Sequence, residues 1–288
     1  MGNYNLALNN ETEDKLYTIF SETMKKYELL EGTEDIIFLF SGGKDATIGL
    51  YFLNQYIKRN DLDLNLRAVM VTYPTHVYFH EDGRETECFT STKNFWKAQG
   101  VNLEVFISDT EDLRDGEVNG CKICKSARKQ IVDKYLNNAT NKKKTAIVTG
   151  YTLYDILAYM DEISLVSNYN FKVSELKDKK AIKRVDNCLH KMKIKEDLPN
   201  GFRIIRPLAV FNEDDILEYV KENSIPYVNR PCKVSTAKHK RAYFKVLNIA
   251  SPINNVSYEG VLNFLSKNEI EMPQNFDDIE YGNYFTDC

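Results

Sequence analysis

Ile36-Ile37-Phe38-Leu39-Phe40-Ser41-Gly42-Gly43-Lys44-Asp45-Ala46-Thr47 is the stretch on which the fold turns. Five apolar residues lead into a Ser-Gly-Gly turn. An apolar pattern at helical spacing then runs through Ile48, Leu50, Leu53 and Tyr56. The spacing predicts a buried strand, a tight loop and a helix N-terminus. The two glycines let the backbone take positive φ and come close to a ligand. The helix start presents unpaired N–H groups and the positive end of its dipole, so the expected ligand is an anion. Ser41 and Thr47 can add hydroxyl donors, and Lys44 a full positive charge. Asp45 would repel a phosphate unless it caps backbone amides or holds a metal ion.

This segment resembles the PP-loop of the ATP pyrophosphatases, the adenine-nucleotide α-hydrolase-like family, whose pattern reads Ser-Gly-Gly-x-Asp-Ser/Thr. It lacks the Gly-x4-Gly-Lys-Ser/Thr spacing of a Walker A loop. The competing reading is a glycine turn in an ordinary α/β protein. The resemblance implies cleavage of ATP between its α and β phosphates and transfer of AMP to a substrate oxygen. ATP would then sit at Ser41, Gly42, Gly43, Lys44, Asp45 and Thr47. Ala46 departs from the pattern, since a serine is usual there, and Thr47 is the expected substitute.

The chain has 288 residues, enough for one large α/β domain with a small appendage. Hydrophobic residues make up 43% and charged residues 28%, as in a soluble globular protein. No apolar run approaches the length of a membrane span. Met1 to Glu13 is polar and carries acids, so it reads as neither a signal nor a transit peptide. A cytoplasmic, reducing setting is expected, and the six cysteines are then metal ligands or catalytic thiols rather than disulfides. The net charge of −4 makes no global demand for nucleic acid, but the charge is uneven. Lys172 to Lys195 holds nine Lys or Arg against three acids, and Arg230 to Lys245 six against none. Such faces can serve RNA phosphates or an acidic carrier protein, or simply be solvated.

Residues 11–31 read as an amphipathic helix with Leu16, Ile19, Phe20, Met24 and Tyr27 on one stripe. Strands are expected at 36–40, Leu66–Thr72, Asn102–Ile107 and Thr145–Gly150. Between them, helices are expected at 46–58, Arg84–Gln99 and Ile123–Leu136. That alternation predicts an α/β fold with a parallel sheet and helices on both faces. The resemblance implies a sheet of the five-stranded type. Tyr154–Val166 reads as a helix and 168–200 as a polar, Lys-rich loop or mobile insertion. Ile204–Leu208 reads as a short strand ending at a proline. Helices follow at Glu213–Asn223, capped by Asn212, then at Lys238–Ile249 and Tyr258–Lys267. Three parts are expected: a helical segment at 1–32, the nucleotide domain at 33–250, and an acidic extension with a small helix at 251–288. In such sheets ligands bind at the carboxyl ends of the strands. The loop after the first strand and Gly150-Tyr151-Thr152 after the fourth should therefore face one crevice.

Cys121-Lys122-Ile123-Cys124 follows a glycine and sits just before a helix, and Cys232 likewise precedes a basic helix. A C-x2-C pair puts two sulfurs on one small centre, and a third cysteine from a distant loop could complete a trigonal set. Thiolates suit zinc or an iron–sulfur cluster. A redox dithiol or zinc knuckle is the alternative. Cys88 reads as a core residue of a helix, Cys188 as part of the Lys-rich insertion, and Cys288 as terminal and uncommitted.

Three further segments occur in order with the Ser-Gly-Gly loop. They are Cys121–Lys129, Thr149–Leu157 (Thr-Gly-Tyr-Thr-Leu-Tyr-Asp-Ile-Leu) and Arg206–Ile216 (Arg-Pro-Leu-Ala-Val-Phe-Asn-Glu-Asp-Asp-Ile), with Cys232 beyond. Together they resemble the tRNA 2-thiolation enzymes, above all those of the tRNA 2-thiocytidine synthetase type, over roughly residues 33–247. That resemblance implies a 4Fe–4S cluster on Cys121, Cys124 and Cys232, ATP with Gly150 close by, and Asp155 at Mg²⁺ or the phosphates. Catalytic roles fall to the three cysteines with Lys44 and Asp45. Tyr151 and Tyr154 depart from the family's histidine and first aspartate.

The reaction implied is ATP-dependent thiolation. Adenylation activates a carbonyl oxygen, sulfide or a persulfide displaces AMP, and C=O becomes C=S. Two acceptors compete at this level: a tRNA nucleobase, and an amide of a small molecule or carrier-bound peptide, giving a thioamide. A homodimer is compatible with either. An adenylyl or phosphoadenylyl sulfate reductase shares the fold, but its C-terminal Cys motif is absent. A non-catalytic nucleotide-binding module is the remaining reading.

Overall fold

In the computed structural model, residues 10–73, 80–81, 84–108, 120–139, 141–166, 176–228, 244, 246–247, 249 and 256–270 are described; the side chains of 10–14, 81 and 120–122 lie outside that description. Eight strands and eight α-helices are seen among them. In chain order they are α1 (Asn10–Lys26), β1 (Asp35–Leu39), α2 (Lys44–Arg59), β2 (Asn65–Thr72), β3 (His80–Glu81), β4 (Arg84–Glu85), α3 (Glu87–Ala98) and β5 (Asn102–Ile107). Then follow α4 (Gly120–Asn137), β6 (Thr145–Val148), α5 (Leu153–Val166), α6 (Lys179–Met192), β7 (Lys195–Asp197), β8 (Arg203–Ile205), α7 (Glu213–Glu222) and α8 (Tyr258–Lys267).

The main sheet has the order β5-β2-β1-β6-β8-β7. Five strands are parallel, and β7 adds an antiparallel edge to β8. β1 and β6 are apolar on both faces, as strands covered by helices on each side must be. Period-two alternation sends Ile36 and Phe38 into a large core with α1, α2, α3, α5, α6, α7 and α8. Ile37, Val69, Ile147 and Ile204 turn the other way, onto Val132 and Leu136 of α4. From β1 the chain builds outward through β2 to β5. It then crosses back to lay β6 on the other side of β1. That reversal makes the gap between β1 and β6 the topological switch point, where α/β sheets bind ligands.

Three expectations need correction. The Lys-rich segment is not a loop where it is described. Its residues 179–192 form α6, capped by Asp178, whose carboxylate accepts from the Lys180 N–H at 3.1 Å. Val185, Cys188, Leu189 and Met192 recur at helical spacing and are buried in the core. The many lysines hide that stripe in the sequence, because they occupy the opposite face. Residues 167–175 lie outside the described residues, as does most of the expected helix 238–249. Second, α3 starts at Glu87 rather than Arg84. The short hairpin β3–β4 takes the charged residues before it, and the Thr86 hydroxyl accepts from the Phe89 N–H at 3.3 Å as the N-cap. Third, Cys88 is exposed, not core, while Cys188 is buried. Asn212 does stand at the N-cap position of α7, but its side chain makes no capping bond.

The C-terminal part of the fold is tied in by one phenol. The Tyr258 hydroxyl donates to the Met192 carbonyl at 2.8 Å and accepts from the Ile194 N–H at 3.1 Å, bridging the bend between α6 and β7. Beside it, buried His190 meets Glu196 at 2.6 Å through Nδ1. None of the described helices is long and apolar enough to cross a membrane.

Phe52 is the hub of the large core. It is 1% exposed, and its ring meets those of Tyr17, Phe20, Tyr51, Phe211 and Tyr219 at centroid distances of 5.1–6.4 Å. Phe52→Ala is expected to lower the unfolding free energy by about 3–5 kcal/mol, read from urea titration. A loss below about 1 kcal/mol would show that α1, α2 and α7 are not held through this ring.

Candidate functional site

β1 and β6 run side by side in parallel, so their exits lie at the same end of the sheet. The exit of β1 turns at Gly42, whose φ of 80° is the left-handed conformation that glycine adopts without strain. The Ser41 hydroxyl accepts from the Gly43 N–H at 3.3 Å. Gly43 is the N-cap of α2 and has no side chain to offer, so the first N–H groups of the helix face outward without a side-chain cap. That is the geometry an oxyanion needs.

The exit of β6 closes on the same turn. A Cβ on Gly150 would lie 3.0 Å from both the backbone N and Cα of Ala46. Gly150 therefore lacks a side chain for a reason visible here: it lies against the backbone of Ala46, which is 4% exposed. Thr47 and Thr149 flank this contact, one on each strand exit. Both hydroxyls are buried and have no hydrogen-bond partner among the described residues. An unsatisfied buried hydroxyl costs on the order of 1–3 kcal/mol. Oxygens of a bound nucleotide would remove that cost, so the residues present fit ATP.

Charge at the mouth is dominated by one lysine among carboxylates. Lys44 Nζ lies 3.0 and 3.1 Å from the two Asp45 oxygens and 2.6 Å from Glu213 Oε1. Asp155, in the first turn of α5, accepts from the Thr152 N–H at 3.0 Å and so caps its own helix. The Tyr154 hydroxyl lies 3.5 Å from Asp214. Burial pushes the Asp45 carboxyl up to about 7. Lys44 opposes that rise, and Glu213 and Asp155 add to it. The Lys44 ammonium is held above its usual value by Asp45 and Glu213, which outweigh its desolvation. A polyphosphate entering so acidic a mouth would need a cation beside it, which suits Mg²⁺.

The strand exits also position the cysteines. Cys121 and Cys124 occupy the first turn of α4 at i and i+3, which places them on one face of the helix. The Tyr73 hydroxyl, just past β2, donates to the Cys124 carbonyl at 2.7 Å and anchors that turn. Cys232 lies outside the described residues, but the chain leading to it does not. Val228 donates its N–H to the Gly42 carbonyl at 2.8 Å, directly on the Ser-Gly-Gly turn. Exposed Cys88 approaches the neighbouring Tyr227 carbonyl at 3.6 Å. Of this donor set only the Cys124 side chain belongs to the described residues. Among the described residues no group of three His, Cys, Asp or Glu is placed to hold a metal ion.

Tyr151 and Tyr154, read in the sequence as departures beside the substrate, are core residues. Tyr154 is 0% exposed and packs on Phe244. Tyr151 is 8% exposed and sits between Tyr159 and the guanidinium of Arg206. They carry the second loop rather than read an acceptor. Two residues escaped the sequence reading. Glu213 stood in the Arg206–Ile216 segment as the first acid of a helix, with no role attached, and Val228 had no signal, because it acts through its backbone.

The loop pair at the switch point and the order of its motifs resemble those of the PP-loop, adenine-nucleotide α-hydrolase-like enzymes. No protein-family model matches the chain. It is 21% identical over 230 residues to tRNA-cytidine(32) 2-sulfurtransferase 1 of Francisella philomiragia, covering 78% of this chain and 77% of that protein. It is also 21% identical over 229 residues to tRNA-cytidine(32) 2-sulfurtransferase 2 of Francisella tularensis, with 78% of each chain covered. Among solved structures it superposes on the U34-tRNA thiolase NcsA from Methanococcus maripaludis, determined with its 4Fe–4S cluster. The TM-score is 0.61 at 17% identity, over 89% of this chain and 79% of that one. The resemblance to PP-loop tRNA thiolation enzymes drawn from the motifs is borne out by these relatives.

Two outcomes follow from the geometry. Gly150→Ala is expected to weaken ATP binding at least about tenfold, equivalent to about 1.4 kcal/mol, because its methyl meets backbone that cannot rotate away. Titration with ATP and Mg²⁺ reads this, and wild-type affinity would contradict the proposed crevice. Asp45 makes a pH-dependent contribution. Its folded pKa lies above the unfolded value of 3.8, so the folded state binds the extra proton between about 4 and 7. Stability from this group is present below about 4 and is lost as the pH rises through about 7. Asp45→Asn should therefore become more stable relative to the wild type across that window, measured by denaturant titration at each pH. A constant difference would refute the raised pKa.

Proposed function

We propose that this protein is an ATP-dependent tRNA sulfurtransferase. It adenylates a nucleobase carbonyl oxygen, releases pyrophosphate, and exchanges the activated oxygen for sulfur with loss of AMP. The observation that carries this reading is the contact of Gly150 with Ala46. It sets two loops of a PP-loop fold around one anion site, with Lys44 at its mouth and the C-x2-C helix beside the same sheet edge. The likeness to tRNA-cytidine(32) 2-sulfurtransferases supports the acceptor class.

The chemistry follows from what the residues can do. Oxide is a poor leaving group, and a phosphate ester is a good one. The α2 N-terminus with Gly42 and Gly43 would bind phosphate oxygens, Lys44 would offset the charge that grows on the departing pyrophosphate, and Asp45 and Asp155 would accept Mg²⁺. Thr47 and Thr149 supply hydroxyls to the bound nucleotide. Cys121, Cys124 and Cys232 would hold a 4Fe–4S cluster, leaving one iron without a protein ligand, where sulfide can bind.

The tRNA contact is assigned to the exposed face of α6, where Lys179, Lys180, Lys183 and Arg184 lie outward. Arg184 is paired with Glu162 at 2.6 Å, so the three lysines are the variable charge. Nothing at Tyr151 or Tyr154 favours a carrier-bound amide, because both are buried.

The test incubates the anaerobic protein with ATP, Mg²⁺, sulfide and either tRNA or a carrier-bound peptide. The expected result is sulfur in digested tRNA nucleosides, with AMP and pyrophosphate formed in step. ADP with free phosphate, or sulfur only in the peptide, would overturn the reading. Neutralising Lys179, Lys180 and Lys183 should raise the KM for tRNA and leave that for ATP unchanged. Each lost phosphate contact should flatten the salt dependence by about 0.7–0.9 in the log–log slope. Wild-type KM and slope would show the face to be merely solvated.

A further inference from the structure

Glu213 lies in the Arg206–Ile216 segment, to which no role is assigned above, yet it makes the shortest described contact to Lys44, 2.6 Å against 3.0 and 3.1 Å for Asp45. Its place is built by the fold. Lys44 opens α2 and Glu213 opens α7, so two helix N-termini meet at the crevice. The helices are locked behind them by Tyr219, whose ring meets Phe52 edge-on at 5.1 Å and Tyr51 at 6.5 Å. A carboxylate at a helix start is itself favoured by the dipole, so Glu213 costs α7 nothing. The backbone bond from the Leu153 N–H to the Phe211 carbonyl, at 3.0 Å, fixes the turn before α7 to the start of α5. Glu213 is thus held from two sides.

A lysine ammonium has three donors and a flexible four-carbon stem. Here Asp45 and Glu213 together hold it from opposite helices. Compensated by two carboxylates, the ammonium has little left to offer a resting phosphate. It has more to offer where negative charge grows. Only interactions that strengthen between ground state and transition state raise the rate of the step.

We propose that Glu213 is the positioning residue of Lys44, aiming its ammonium at the charge that develops on the leaving pyrophosphate while keeping it from tightening ground-state ATP binding. This rests on the ATP-pyrophosphatase reading given above. In the step concerned, the acceptor oxygen bonds to the α-phosphorus. The bond from that phosphorus to the α–β bridging oxygen breaks, and its electron pair leaves on pyrophosphate, beside Lys44.

The test uses the full chain as wild type, Glu213→Gln and Glu213→Asp. Affinity is measured with the α,β-methylene analogue of ATP, which binds but cannot be cleaved there. Turnover is measured as AMP and pyrophosphate formed with tRNA and sulfide. Glu213→Gln should bind the analogue as tightly as wild type or tighter, because a competing charge is gone, while kcat falls at least about tenfold. Glu213→Asp keeps the charge on a shorter stem and should recover part of kcat. Loss of affinity, kcat and thermal midpoint together would make Glu213 a structural residue and overturn the proposal. Wild-type kcat in Glu213→Gln would overturn it as well, leaving the ATP reading intact. A wild-type protein that forms no AMP would overturn both, and that result is distinct because it appears before any variant is compared.

Discussion

The approach of Gly150 to Ala46 is the constraint on which the site depends. Two parallel strands can lie side by side with their exits far apart. Here the exit of β6 comes down on the first turn of α2 with no room for a methyl group. That contact joins loops more than one hundred residues apart in the chain into one crevice. It also explains the composition on each side of it. Residue 150 is glycine because its neighbour is the backbone of Ala46, and Ala46 itself is buried there. The loop beyond Gly150 is carried by buried aromatics and by Arg206, which is 0% exposed. The polar groups in contact with the crevice are therefore few, and each is fixed by an element that does other structural work.

Electrostatics then decides what such a crevice admits. One ammonium facing Asp45 and Glu213, with Asp155 and Asp214 near, is an unusual phosphate site. In a purely cationic pocket, affinity for ATP would be the main product. Here the carboxylates offset Lys44 at rest. On the proposed reading, the resting nucleotide is held mainly by backbone N–H groups, hydroxyls and an accompanying cation, and the lysine adds most where charge grows on the leaving pyrophosphate.

Much of this was legible before the structure. The run from Ile36 to Thr47 carried the strand, turn and helix, and β5 and α8 were delimited to the residue by apolar periodicity. The parallel order followed from strand–helix alternation. What stayed hidden has physical causes. In α6 the buried stripe of Val185, Leu189 and Met192 is diluted by lysines on the far face, so composition outvoted period. At 80–86 a two-residue hairpin is too short to leave a period at all. Tyr151 and Tyr154 stood inside a functional motif, and position in a motif does not reveal which way a side chain turns. Glu213 and Val228 act through contacts made only after α7 and its trailing loop fold back onto α2. One is a charge on another element, and the other a backbone N–H that any residue but proline could supply.

The bridge from Tyr258 to the bend between α6 and β7 has a consequence for how the molecule answers to acidity. Burial pushes that phenol up to about 12, and His190 beside it is pushed down, chiefly by its own desolvation. Around neutrality the phenol therefore keeps its proton and the imidazole stays neutral. Around neutrality, then, this bridge neither gains nor loses a proton, whereas Asp45, near 7, does. A small change of acidity in that range acts on the crevice rather than on the bridge that ties the C-terminal helix in.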